Sequence, residues 1–123
     1  VAPAPLDQTA AHDNEEATES VWLVPRAALE QYRDGQIELA PPQIMSLAHL
    51  ARYARMQDVV VAARSQRPPT ILPLAHLDAG LRTIAYPGDP LHAEHKRALP
   101  GPTRLRQQGR QFLPEGGFEA LFL

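Results

Sequence analysis

The chain has 123 residues with twelve basic and fourteen acidic side chains, a net charge of −2. That length suits one small domain, and the near balance of charge gives no footing for a nucleic-acid surface. There is no Cys, which excludes disulfides, thiolate nucleophiles and Cys-ligated metal. No apolar run approaches the ~20 residues needed to span a bilayer, and the start lacks the basic-then-apolar pattern of a secretory signal. A soluble, cytoplasmic protein without membrane or nucleic-acid partners is the expectation. Thirteen prolines are more than twice the usual ~5%, so chain breaks should be frequent and the core segmented.

Residues 1–14 are Pro/Ala-rich and then polar, which reads as a flexible lead. Asp13, Glu15, Glu16 and Glu19 follow closely on one another. "ESVWLV", residues 19–24, alternates like a strand with apolar groups on both faces, the pattern of a strand inside a sheet. Trp22 on it reads as a core anchor, with stacking on a nucleotide as the alternative. Pro25 occupies the tolerated first-turn position of a helix. Ala28, Leu29 and Tyr32 form its stripe and Gly35 stops it. "QIELAPP" is extended.

The segment 42–54 carries the clearest helical period, through Ile44, Leu47, Ala48, Ala51 and Ala54. A shorter helix follows, with Asp58 as its N-cap candidate. Beyond Arg67 the pattern changes to β. Two strands flank the turn Asp78-Ala79-Gly80, and "PGDP" at 87–90 is a compact turn. A second hairpin spans 103–114, with Gln108-Gly109 at its turn. Phe118, Leu121, Phe122 and Leu123 need an apolar surface on which to dock. The fold class is therefore α/β in the α+β sense. The divisions are 1–14 as lead, 15–67 as a late strand and helices, and 68–123 as a β-rich extension.

"ESVWLVPRAALEQYRDGQIELAPPQIMSLAHLARY", residues 19–53, resembles the region after the catalytic helix in Nudix hydrolases. It is most similar to the bacterial subgroup related to the peroxisomal coenzyme A diphosphatase. "YPGDPLHAE" at 86–94 and "TRLRQQGRQFL" at 103–113 resemble the C-terminal extension of that subgroup. The resemblance implies the C-terminal part of a Nudix-like α/β/α sandwich with a two-hairpin extension. It implies a parent enzyme that cleaves the diphosphate of a nucleoside-diphosphate-linked small molecule, coenzyme A or an acyl-CoA among them, with Mg²⁺ or Mn²⁺. The Nudix box that holds those ions is absent here, since Glu15-Glu16 is the one adjacent acidic pair and lacks the flanking Arg-Glu and Gly. The N-terminal Nudix half would then come from the same or another chain, and this chain alone would be inactive. The alternative is a non-catalytic binding or assembly module, as a homo-oligomer.

The resemblance also nominates residues. Glu16 and Glu19 are the catalytic candidates, as a base or additional carboxylate near the mouth of a late strand; a solvated acidic loop reads the same way. Arg104 and Arg106 are the cofactor-binding candidates for a coenzyme A phosphate, since guanidinium suits phosphate. Their alternation with Leu105 also describes a wet sheet face. No metal ligand is assigned. Asp89, His92 and His95 have ligand-like spacing, and a polar loop accounts for them equally.

Overall fold

The computed structural model describes residues 1–15 and 19–123. Three helices, α1 (Pro25–Arg33), α2 (Pro41–Leu50) and α3 (Met56–Ser65), precede four strands. The strands are β1 (Leu74–Asp78), β2 (Leu81–Ala85), β3 (Arg104–Gln108) and β4 (Gln111–Pro114), and a 3₁₀ turn, Phe118–Phe122, ends the chain. This is an α+β arrangement, as the residue patterns led us to expect.

The helices start where proline permits. Val24 is extended and Pro25 opens α1, with Ala28, Leu29 and Tyr32 buried and Gly35 at φ +74° beyond its end. Two prolines open α2, and the Gln43 side chain accepts the Ala40 N–H at 2.8 Å, half of a capping box. Ile44, Met45 and Ala48 are buried. The helix ends at Leu50 and not at Ala54: Arg52 and Tyr53 turn on i→i+3 bonds to His49 and Leu50, which tighten the last turn. In α3 the N-cap is Arg55, so Asp58 lies in the first turn and does not cap; no α3 residue is fully buried.

Both expected hairpins form. The β1–β2 connection is Ala79-Gly80, both at positive φ (+51° and +76°), as a type I′ turn requires. The β3–β4 connection is Gly109-Arg110, one residue on from the expected position, with positive φ at Gly109. The hairpins are not separate units. Thr83 pairs with Arg106 and Ala85 with Arg104, giving one antiparallel sheet in the order β1-β2-β3-β4.

Register divides the sheet into two faces. Ile84, Leu105 and Phe112 lie on one face, against Leu29, Tyr32, Ile44, Met45, Ala48, Tyr86 and Leu121. This core draws on both halves of the chain. Phe118, Leu121 and Phe122 dock on their own chain, while Leu123 stays exposed. Arg26 lies 4.3 Å over the Phe122 ring and pairs with Glu119 at 3.0 Å, which fixes the tail to α1.

The two sheet edges differ. On β4 the Tyr32 hydroxyl accepts the Phe112 N–H at 2.6 Å and donates to the Phe112 carbonyl at 3.2 Å. The Gln111 amide donates to the Tyr32 and Arg33 carbonyls at the end of α1, the first of which also accepts the Gly35 N–H. The β1 edge has no strand beyond it among the described residues. On its helix-side face Ala75 is exposed and Leu77 is 82% exposed.

One expectation fails outright. Residues 19–24 form no strand: Val21, Trp22 and Val24 are 64%, 67% and 68% exposed. Alternation makes a strand only where a neighbour supplies backbone partners, and no described strand lies beside this segment. Trp22 is therefore not a core anchor here.

Tyr86 is 3% exposed and its hydroxyl has no hydrogen-bond partner among the described residues, and burial pushes it up to about 12. Removing an unpaired buried hydroxyl relieves a desolvation cost. Tyr86→Phe should leave urea stability unchanged or raise it by about 1 kcal/mol. Leu105→Ala, at a fully buried site, should lower it by about 2–5 kcal/mol in the same measurement.

Candidate functional site

The sheet face turned away from the helices carries Asp78, Thr83, Arg104 and Arg106, by the register of β1 through β3. The segment 86–103 joins β2 to β3 and is tied to this face. Its first turn is Pro87-Gly88-Asp89-Pro90, closed by Asp89 N–H to the Tyr86 carbonyl at 3.1 Å. Gly88 stands at φ +95°, and a Cβ there would fall 2.4 Å from Arg97 Cγ. Glycine is needed here both for the dihedral and for the room.

Asp89 is the centre of the cluster, with 1% of its surface exposed. Arg104 donates to it twice, from Nε at 2.7 Å and Nη2 at 2.8 Å. Thr103 Oγ1 donates at 2.8 Å and the Leu91 N–H at 2.9 Å. Burial pushes the Asp89 carboxyl up, but the bonds from Arg104, Leu91 and Thr103 together hold it below the usual carboxylate range. The Arg104 guanidinium is raised in turn by its bonds to Asp89. Asp78 accepts from Arg106 and stands 3.5 Å from Arg104 Nη1; Glu115 lies 3.6 Å from Arg106 Nη1.

The two cofactor-binding candidates, Arg104 and Arg106, are thus brought together, on one face of β3 as their alternation with Leu105 implied. Three carboxylates surround them. A phosphate arriving here would compete with Asp89, Asp78 and Glu115 for the same donors. The neighbouring cavity, about 280 Å³, is lined by Asp89, Pro90, Pro102, Thr103, Arg104 and Glu115.

His92 is buried and both its ring nitrogens are in use. Nδ1 accepts the Glu94 N–H at 3.0 Å, so Nε2 carries the proton and donates to the Leu72 carbonyl at 2.7 Å. The pair of contacts dictates that neutral tautomer. His92 therefore latches the segment 86–103 to the chain entering β1, and offers no lone pair to a metal. With Asp89 saturated and His95 exposed, the Asp89-His92-His95 spacing does not become a metal site. No group of three or more His, Asp or Glu side chains able to hold an ion occurs among the described residues.

Of the two catalytic candidates, Glu16 lies outside the described residues, and Glu19 is exposed and does not belong to this cluster. The sequence reading missed Asp78, taken for a turn residue, and Glu115. A signal was available: acidic residues at strand ends can reach long arginine side chains that alternate on another strand of the same sheet face.

A second concavity is apolar. Two cavities of about 500 and 370 Å³ share Val1, Leu50, Tyr53 and Val59 between the end of α2 and α3. Their lining holds Arg26, Arg55 and Arg67 and no carboxylate. No described helix is long and apolar enough to cross a membrane.

No family model matches this chain, and no curated protein and no solved structure matches it.

Asp89→Asn should lower stability at neutral pH by about 3 kcal/mol, because it leaves Arg104 without its charge partner. The pH dependence has a definite sign. The folded Asp89 carboxyl lies below its unfolded value, ~3.9, so its contribution is full above that pH and is lost as the pH falls through the folded value. Acid titration of urea midpoints should show a shallower acid limb in Asp89→Asn than in the parent chain.

Proposed function

We propose that this chain is the C-terminal portion of a Nudix-type hydrolase that cleaves a diphosphate linkage in a nucleoside-diphosphate-linked small molecule, with coenzyme A or an acyl-CoA as the candidate substrates. The resemblance at 19–53, 86–94 and 103–113 suggests the family. The supporting observation is the uncovered β1 edge with Leu77 82% exposed beside it. A sheet closed by side chains at one edge and open at the other is suited to continue into further structure. The metal-binding half would continue it, from the same or another chain, toward the sandwich the resemblance implies.

The Mg²⁺ or Mn²⁺ that the family implies does not fit the described residues. Asp89 is committed to Arg104, both nitrogens of His92 are bonded to backbone, and no acidic or histidine cluster of sufficient size remains. The part of these residues in the enzyme would be to hold the sheet and present its polar face.

The alternative of a non-catalytic assembly module is favoured by the same internal pairing of charges. The tail gives it no help, since Leu121 is buried within its own chain.

The deciding experiment takes the reading frame upstream of Val1, expresses the extended protein and incubates it with coenzyme A and Mg²⁺ or Mn²⁺. The expected outcome is release of the two phosphorylated halves by the extended protein and none by this chain. Hydrogen exchange at Leu74–Asp78 should slow in the extended protein. An extended protein that hydrolyses nothing, or an upstream frame with no acidic metal-binding helix, would sink the enzyme reading and leave the module.

A further inference from the structure

The segment 86–103 is fastened in two chemically different ways, and the two answer differently to acid. At its feet Asp89 is bonded to Thr103 and Arg104. Burial pushes that carboxyl up, but its bonds to Arg104, Leu91 and Thr103 hold it below the usual carboxylate range, so it stays ionised in mild acid. The arc between the feet is held through His92. Its backbone N–H donates to the Asp89 carbonyl at 2.9 Å, and its ring Nε2–H donates to the Leu72 carbonyl at 2.7 Å. Nδ1 accepts the Glu94 N–H at 3.0 Å. Glu94 is bound from its other side too, since its carbonyl accepts the Gly88 N–H at 2.8 Å.

These partners tolerate only one proton on the ring. A backbone N–H can only donate and a carbonyl can only accept. A second proton, taken up at Nδ1 from solvent, uses the lone pair that holds Glu94 and sets N–H against N–H. The residue is 6% exposed, so water has little access to relieve that clash. The charged groups around it are engaged elsewhere. On its own segment Asp89 holds Arg104, the Glu94 carboxylate accepts the Lys96 N–H, Arg97 donates to the Gly101 carbonyl and His95 is exposed. The stretch that supplies Leu72, residues 68–73, has no titratable side chain. On the strand that follows, Asp78 accepts from Arg106 and His76 lies opposite Thr83.

We propose that His92 is a proton-sensitive latch: protonation of its ring breaks the Glu94 contact and frees the arc around Glu94, while Asp89 keeps both feet in place. The closed arc binds one proton fewer than the open one, so acid favours opening and base favours closing. Pro90 and Pro102, at the two ends of the arc, line the cavity of about 280 Å³ beside Arg104 and Glu115. The latch therefore sets how firmly one wall of that polar cavity is held.

The test is nuclear magnetic resonance of the ¹⁵N-labelled chain at about pH 7.5 and about pH 5.5, on either side of the ordinary histidine value of ~6.5. Ring nitrogen shifts report the tautomer and charge of His92. Amide exchange of Glu94 and Gly88 is referred to that of Leu91, whose N–H is held by Asp89, which cancels the intrinsic pH dependence of exchange. At the higher pH the ring should be neutral with its proton on Nε2. At the lower pH both nitrogens should be protonated, and Glu94 and Gly88 should exchange about tenfold faster relative to Leu91, the worth of roughly one hydrogen bond. His92→Gln offers an acceptor and a donor but takes up no proton in this range, and should lose the response; His76→Gln and His95→Gln should keep it.

A proton on Nδ1 at the higher pH overturns the proposal. So does a ring still neutral at about pH 5, below which histidines ordinarily carry their charge, or a protonated ring with Glu94 still protected. An acid response that persists in His92→Gln overturns it as well. Should His92→Gln lose its circular dichroism, the ring and amide readouts of the parent chain still decide. None of these readouts involves coenzyme A cleavage, so failure here leaves the enzyme reading standing.

Discussion

One buried carboxylate organises the polar half of this molecule. Asp89 sits in the loop between β2 and β3, and besides the Leu91 N–H its partners are Thr103 and Arg104. It is one of the ties that hold the 18 residues from Tyr86 to Thr103 to the sheet. A long connection without secondary structure is unusual in so small a domain. Here it is kept in place by a salt bridge inside, a histidine latch at Leu72 and a glycine that lets the turn close. The arrangement also sets the electrostatics of β3. The two arginines are balanced by three carboxylates, with Arg106 Nε left buried and without a hydrogen-bond partner among the described residues. A buried pair of this kind contributes little against an apolar replacement, but losing one member is costly.

The helical side rests on different physics. Its core is a short list of aliphatic and tyrosine side chains, and the prolines that thin it out also start its helices. Because the core is small, surface contacts have been recruited to close its margins. The Tyr32 hydroxyl bonds the Phe112 backbone, the Gln111 amide covers the end of α1, and Arg26 bridges to the tail. Exposed ion pairs are individually weak. Their value here is positional, since each fixes the angle at which the last residues meet α1.

Much of this was legible in the residues. The hairpin at Ala79-Gly80 followed from turn chemistry, and α1 and α2 from proline placement and apolar period. These are local signals, settled within a few residues of chain. The end of α2, the cap of α3 and the β3–β4 turn slipped by a few residues each, and the larger failures are non-local. Val21–Val24 alternate like a strand, but pairing depends on a neighbour that sequence does not show. The two hairpins were read separately because nothing in either announces that Thr83 will meet Arg106. Asp89, His92 and His95 looked like ligands because spacing carries no information about prior commitments. Asp89 was already owed to an arginine fifteen residues on, and His92 to a carbonyl twenty residues back. The arginines of β3 were found, but the carboxylates that neutralise them were not.

The Tyr32 hydroxyl has a consequence beyond packing. By taking both the N–H and the carbonyl of Phe112, it interrupts the ladder that an approaching strand would need on β4. Lateral growth of the sheet is left with one direction only, past β1. An endless ribbon requires two edges that can each accept the other, and this fold presents a single one. Edge-to-edge pairing of folded copies would therefore stop at two, through the outer edge of β1.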